Sequence, residues 1–418
     1  MTTMCVNVKR LRSDVESNAE FGAVPSVDGR GRTLLTGTDA DRRAREFLCE
    51  RLRDADLDVR VDAVGNVVGR WAPESADPGA APVATGSHLD SVPDGGIFDG
   101  PLGVYAGLEA VRAMQDAGVE PGRPVEVVCF TEEEGQRFGG GLVGSAVAAG
   151  ALAPEDALDI DDADGIPLGD ALADIGFRGE GRLDASEWDA WVELHVEQSE
   201  RLADADAVAG VVTSIVGLSR CAVEIVGEAD HAGTTSMAER ADALAAASEF
   251  VTAVERAAVD RREASETTVA TVGKLDVAPN APNVIPGRVS LTVDVRAVDH
   301  ADIDAIIDDA RSALEAVRAG RSVDATLEHT WDRPPVSMAE RCRAALHDAA
   351  AAEGVPALDL HSGAGHDTMH VADVTDAALL FAPSRDGISH NPREWTEWAD
   401  CAAATRVLAG ALADLATE

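Results

Sequence analysis

The stretch GSHLDSVPDGGIFDGPLGV, residues 86–104, sets one histidine, three aspartates and five glycines directly after the apolar run PVAT. Two readings compete for it: a solvated acidic loop in an acidic protein, or the first half of a metal site. Glycines such as Gly95, Gly96 and Gly100 suit a loop that must turn at positive φ. His88 and Asp99, eleven residues apart, would then face each other from its two ends.

Composition does not decide the matter. The chain has 418 residues with 75 acidic and 35 basic side chains, a formal net charge of −40. Only Lys9 and Lys274 among the basic residues are lysine. The acids are spread along the chain and not massed in a tail, which argues against a dedicated acidic binding surface and for a halophilic protein in a salt-rich cytoplasm. There the Debye length shrinks to roughly 3 Å at 1 M salt, and self-repulsion costs little. Such a charge also disfavours nucleic acid as a partner. Acidic triplets such as Glu132-Glu133-Glu134 arise by chance at this composition, so histidine, with ten copies, is the cleaner signal.

Six cysteines, at 5, 49, 129, 221, 342 and 401, form no CxxC pair and suit reduced thiols. No run approaches the 18 or so apolar residues of a membrane span. The segment MTTMCVNVKRLRSDVESNAEF lacks the apolar core of a signal peptide. The expectation is a cytoplasmic protein.

The length favours two domains. Residues 39–55 carry apolar positions at helical spacing after an Asp cap, and DVRVDAVGNVVGRW (58–71) reads as one strand. PVATGSHLD and RPVEVVCFTEEEG are strands running into polar turns, with a small-residue helix near 101–117 between them. This alternation predicts an α/β sheet flanked by helices, with its site beyond the strand carboxyl ends. Residues 150–187 read as loops and short helices. From about 212 the pattern becomes strand, helix (from Ser236), strand, strand, helix (300–320) and strand, the split unit of a ferredoxin-like domain. The predicted organisation is a catalytic domain over 1–211 and 331–418, interrupted by an inserted domain over 212–330.

Five histidines stand at strand ends or in turns: His88, His195, His231, His366 and His390. Imidazole and carboxylate donors without thiolate suit zinc, manganese, cobalt or nickel. Two such ions about 3.5–4 Å apart need a bridging carboxylate and ligands of their own. A free carboxylate beside them can move a proton. Glu133-Glu134 fits that division, one side chain on metal and its neighbour as base.

The ordered motifs GSHLDSVPDGGIFDGPLGV, TEEEGQRF, ELHVEQ, DHAGTTSM followed by RADAL, NVIPGRVSLTVDVR, SGAGHDTM and GISHNP resemble the amidase, hydantoinase and carbamoylase branch of the co-catalytic metallopeptidase clan. The resemblance spans essentially the whole chain. It implies an α/β fold: a phosphorylase/hydrolase-like catalytic domain of zinc-peptidase architecture, interrupted by a ferredoxin-like (β-α-β-β-α-β) lid and dimerisation domain. It implies two divalent metal ions per subunit (zinc, manganese, cobalt or nickel), one held by His88, Asp99 and His195, the other by Asp99, Glu134 and His390.

The same resemblance makes Glu133 the general base and then acid. His231 would reach a partner subunit's site in a homodimer and stabilise the oxyanion. Gln198, Asn283 and Arg296 would hold a substrate carboxylate, with a structural ion pair as the lesser alternative for Arg296. His366 with Asp367 would contact substrate or support a ligand, and Asp90 would orient His88. Peptidases of the clan usually have a carboxylate where this chain has His195. Ser199, Ser236 and Glu132 depart from the usual Gly, Pro and Asn, and none is an implied ligand. The implied reaction is cleavage of a linear ureido or amide C–N bond beside a free carboxylate. N-carbamoyl-L-amino acids come first, then allantoate, N-carbamoyl-β-alanine and ureidoglycolate. A dipeptidase or aminoacylase, and a metal-binding scaffold without turnover, rank lower.

Overall fold

The computed structural model describes residues 4–263 and 265–417, and the chain divides into two compact units. One runs to Thr213 and resumes at 337–360 and from Gly365; the other is 214–336 with 361–364.

The first unit is built on four parallel strands, in the order Asp376–Ala382, Ala190–Val196, Val83–His88, Val125–Phe130. Every residue of the three inner segments Ala190–Val196, Val83–His88 and Val125–Phe130 is buried, as expected of parallel strands covered on both faces. Beyond Val125–Phe130 the sheet continues antiparallel through Val67–Trp71 and Asp58–Val61. Helix Pro101–Asp116 is buried through Met114 and packs with helix Trp398–Leu415 in the main core. Its composition (PLGVYAGLEAV) permits this, because small residues at Gly103 and Gly107 meet strand atoms directly; a Cβ on Gly103 would lie 2.2 Å from the Leu194 carbonyl oxygen.

Two local expectations are corrected. DVRVDAVGNVVGRW is a hairpin, not one strand. The Asp62 carboxylate accepts the N–H groups of Val64 and Asn66, and Gly65 takes φ 84°, so a turn closes where the apolar pattern alone reads as continuous. Helix Asp39–Asp54 is capped by Thr38, whose hydroxyl accepts from Asp41 N; the aspartates sit inside its first turn.

The second unit is a four-stranded antiparallel sheet in the order Val269–Ala278, Arg288–Ala297, Gly217–Val226, Asp324–Arg333. Helices Ala243–Arg262 and His300–Arg321 pack against it around Phe250, Ile303 and Ile307. This is the expected β-α-β-β-α-β fold. The first helix begins later than the sequence suggested. Asp242 accepts from Leu244 N and Ala245 N and so sets the N-terminus, and Met237–Glu239 is a separate 3₁₀ turn. Among the described residues no helix is long and apolar enough to cross a membrane.

Candidate metal centre

Four strand ends deliver the site, the position expected for an α/β sheet. His88 closes Val83–His88, His195 lies near the end of Ala190–Val196, and Glu133 and Glu134 follow Val125–Phe130. His390 stands in the loop after Asp376–Ala382 with φ 54°. Asp99 returns to His88 because Gly100 takes φ 79° and carries no side chain; a Cβ there would lie 2.5 Å from the His88 ring. Gly95 and Gly96 do not have positive φ, contrary to expectation, and the left-handed residue is Asp94 at 54°. Gly96 is required for a different reason. A Cβ on it would lie 2.2 Å from Glu394 Oε1.

The side chains converge on Asp99. Its Oδ1 is 3.0 Å from His195 Nε2 and 3.7 Å from His88 Nε2. Its Oδ2 is 3.3 Å from His390 Nε2, which is itself 3.5 Å from Glu134 Oε2. His88, Asp99 and His195 form one group able to hold a metal ion, and Asp99, Glu134 and His390 form another. Glu133 Oε2 is 3.7 Å from His88 Nε2.

Supporting contacts fix this arrangement. His88 Nδ1 lies 3.0 Å from the Asp90 carbonyl and His195 Nδ1 3.0 Å from the Val196 carbonyl, so each ring offers Nε2 to the centre. The Asp90 main-chain carbonyl makes the hydrogen bond to His88 Nδ1, and the Asp90 carboxylate lies 3.7 Å from the same nitrogen. The Asp90 carboxylate also accepts the N–H groups of Glu133 and Glu134. Glu394 Oε1 accepts from Phe98 N and Asp99 N, and the single Ser389 hydroxyl lies between Asp99 Oδ2 and Glu394 Oε2, closer to Asp99. Gln198 Nε2 donates to Asp99 Oδ2 at 3.3 Å. The His366 ring is buried edge-on to His195 at 4.6 Å.

Burial and charge pull the groups apart. Burial pushes the His88 imidazole down to about 4, further than Asp99 raises it. His195 is buried too, but contact with Asp99 outweighs that cost and carries it up to about 10. The hydrogen bond to Asp99 lifts half-exposed His390 to about 9. Burial, then the Asp99 charge, raises Glu134 to about 8. Burial, then Glu134, drives Glu133 well above the usual carboxylate range, and burial with Glu193 does the same to Asp367.

Without a cation such a cluster balances its charge only with protons. His88 Nε2 and Glu134 Oε1 are buried with no hydrogen-bond partner among the described residues. Two orphaned donor atoms facing a shared carboxylate, in an imidazole and carboxylate set, fit a divalent cation.

His231, Asn283 and Arg296 belong to the inserted unit. His231 and Asn283 are exposed neighbours there: the Asn283 carbonyl accepts from Ala232 N, and His231 bridges Val284. Gly233 N donates to His231 Nδ1, which leaves the proton of a neutral ring on Nε2. Arg296 bonds Asp294 Oδ1 and the Gly363 carbonyl.

Sequence reasoning passed over Ser389, Glu394 and Glu193. The available signals were slight: a serine directly before His390, an acid four residues after it, and an acid within the otherwise apolar WVELHV.

A family model described as Peptidase family M20/M25/M40 matches residues 84–414. An N-carbamoyl-L-amino acid amidohydrolase of Geobacillus stearothermophilus is 40% identical over 393 residues, 93% of this chain and 94% of that protein. An allantoate amidohydrolase of Bacillus subtilis is 35% identical, with 98% of each chain covered. The crystal structure of an amidase of the hydantoinase/carbamoylase family from Burkholderia multivorans matches with a TM-score of 0.91 at 38% identity, over 99% of each chain. With its fold, its ordered motifs and these likenesses in agreement, the chain belongs to Peptidase family M20/M25/M40, in the amidase, hydantoinase/carbamoylase branch, and is a hydrolase of C–N bonds.

Proposed function

We propose that the protein is a dinuclear metal-dependent amidohydrolase that cleaves the ureido C–N bond of N-carbamoyl-L-amino acids. One water is consumed, and amino acid, carbon dioxide and ammonia are released. The observation that carries this reading is the division of Asp99, with Oδ1 toward His88 and His195 and Oδ2 toward His390. A carboxylate used on both edges is what two adjacent cations require.

His88, Asp99 and His195 would hold one ion; Asp99, Glu134 and His390 would hold the other. When bound, such ions polarise the scissile carbonyl and make water acidic near neutral pH. Glu133 takes the proton from the attacking water and returns it to the leaving nitrogen. A carboxyl group whose proton affinity burial and neighbouring charge have raised is suited to both steps. Asp90 holds Glu133 and Glu134 by their backbones, which keeps the base and the ligand from exchanging places.

The inserted unit supplies binding groups in this reading. Arg296 and Asn283 of that unit, with Gln198 of the first unit, receive the substrate carboxylate, Arg296 as a two-pronged donor. His231 Nε2–H donates to the developing oxyanion of the partner subunit's substrate, which requires a homodimer formed through this unit. His366 with Asp367 contacts substrate or supports a metal ligand. The native setting is a salt-rich cytoplasm, in keeping with the charge of −40. Zinc, manganese, cobalt and nickel all suit the donors.

Allantoate is the second reading, supported by the Bacillus subtilis relative, which is covered over almost its whole length. N-carbamoyl-β-alanine follows. The deciding experiment is ammonia release from these three compounds and ureidoglycolate in molar KCl, with manganese or zinc and with a chelator. An N-acetyl amino acid and a dipeptide are scored by amino-acid release. Chelator-sensitive turnover of the N-carbamoyl-L-amino acids is expected; turnover of allantoate alone moves the assignment to the second reading. Cleavage of the dipeptide alone would overturn both.

A further inference from the structure

Glu193 belongs to neither of the two ligand groups that meet at Asp99 and takes no part in proton transfer, yet it is a fully buried carboxylate in the floor of the site. It lies two residues before His195 on strand Ala190–Val196, hence on the same face of the sheet. Its Oε1 accepts from Ser87 Oγ at 2.8 Å; its Oε2 accepts from Thr368 N at 3.1 Å and Thr368 Oγ1 at 2.6 Å.

The direction of the two bonds to Thr368 is fixed. Trp191 Nε1 can only donate, and it donates to Thr368 Oγ1 at 2.7 Å, so the threonine proton turns to Glu193. The backbone N–H of Thr368 is also a donor only. Oε2 is therefore a double acceptor, and Oε1 is held by the Ser87 hydroxyl.

Each segment tied here also carries a side chain of the centre. Ser87 precedes His88, Glu193 precedes His195 by two residues, and Thr368 follows His366 by two. No Arg or Lys among the described residues pairs with Glu193; the groups facing it are the His195 and His366 rings, whose nitrogens lie within 4.8 Å of a carboxylate oxygen and of each other. A buried carboxylate needs a compensating positive charge, and a cation held through His195 would supply it.

We infer that Glu193 is a positioning residue that sets the metal affinity of the His88–Asp99–His195 group: it anchors the three segments bearing His88, His195 and His366, and its negative charge favours a divalent cation behind His195. The inference rests on the metal-centre reading proposed above.

The test is manganese binding to the metal-stripped full chain, measured by competition with a chromophoric chelator for wild type, Glu193→Gln, Thr368→Val and, to assign the sites, His195→Ala. Wild type should bind two equivalents. Glu193→Gln should weaken the equivalent that His195→Ala loses by about 10–100-fold, leave the other within about threefold, and regain kcat/KM when manganese is raised. Thr368→Val, which keeps charge and shape, should weaken the same equivalent by a smaller factor, and it serves alone if Glu193→Gln does not fold. Wild-type affinity in the folded variants, with or without a lowered Tm, would mean that Glu193 is structural only and would overturn the inference. A wild-type protein that binds no metal would instead overturn the metal-centre reading, and this inference with it.

Discussion

Asp90 fixes Glu134 through the main chain: its Oδ2 accepts the Glu134 N–H at 3.0 Å, while Oδ1 accepts the Glu133 N–H at 3.2 Å. One side chain therefore sets the turn that presents both acids. An amide at this position can accept only one of the two bonds and turns an N–H group toward the other. Asp90→Asn should fold but lose on the order of 10–100-fold in metal affinity, read as metal content after dialysis against a weak chelator. Wild-type metal content would show that the charge and the second bond are dispensable.

Glu133→Gln should keep its metal content and lose activity by about 10²–10⁴-fold, because proton transfer goes and the ligands stay. Mixing it with His231→Ala tests the contribution across subunits. Each variant alone should be nearly inactive, and a hybrid should recover part of the activity in one of its two sites. Failure to recover despite demonstrated subunit exchange would assign His231 to its own subunit.

The titration of the cluster gives a signed pH dependence for the chelated protein. Folding raises Glu134 from 4.5 to about 8, His390 from 6.5 to about 9 and His195 from 6.5 to about 10. The folded protein then holds more protons than the unfolded chain, so stability is full below the ordinary values and falls as pH rises through the raised ones. His88, lowered to about 4, acts in the opposite sense, but its contribution is complete once pH exceeds 6.5. The urea midpoint with chelator should therefore fall between about pH 7 and about pH 10, and manganese should flatten the slope. A midpoint that climbs with pH under chelation would contradict these shifts.

The net charge of −40 sets the salt response. Raising KCl from roughly 0.1 M to roughly 2 M should raise Tm by about 10 °C or more, as screening removes self-repulsion. Calorimetry across a salt series checks this; a Tm indifferent to salt would remove the halophilic reading.

The two-unit architecture was legible because its signals are local. Strands of uniform apolarity ending in polar turns, and a second block with β-α-β-β-α-β periodicity, survive without tertiary information. His88, His195 and His390 stood out because histidine is scarce here and each stands near a strand end or in a turn, while the resemblance of the ordered motifs singled out Asp99 and Glu134 as their partners. The misread elements failed for equally local reasons. A single Asp62 side chain closes a hairpin inside an apolar run, and Asp242, six residues after Ser236, caps the helix that the sequence pattern starts at Ser236.

The sequence by itself determined the family, the fold class and the residue types able to bind metal, since these follow from periodicity and motif order. Only the tertiary structure decided how those residues are held. That Gly96 exists to admit Glu394, that the Asp90 carbonyl hydrogen-bonds His88, and that Glu193 ties Ser87 to Thr368 all depend on pairs 2 to 298 positions apart. Hydrogen-bond direction and close approach are properties of where atoms stand, and no spacing along the chain encodes them.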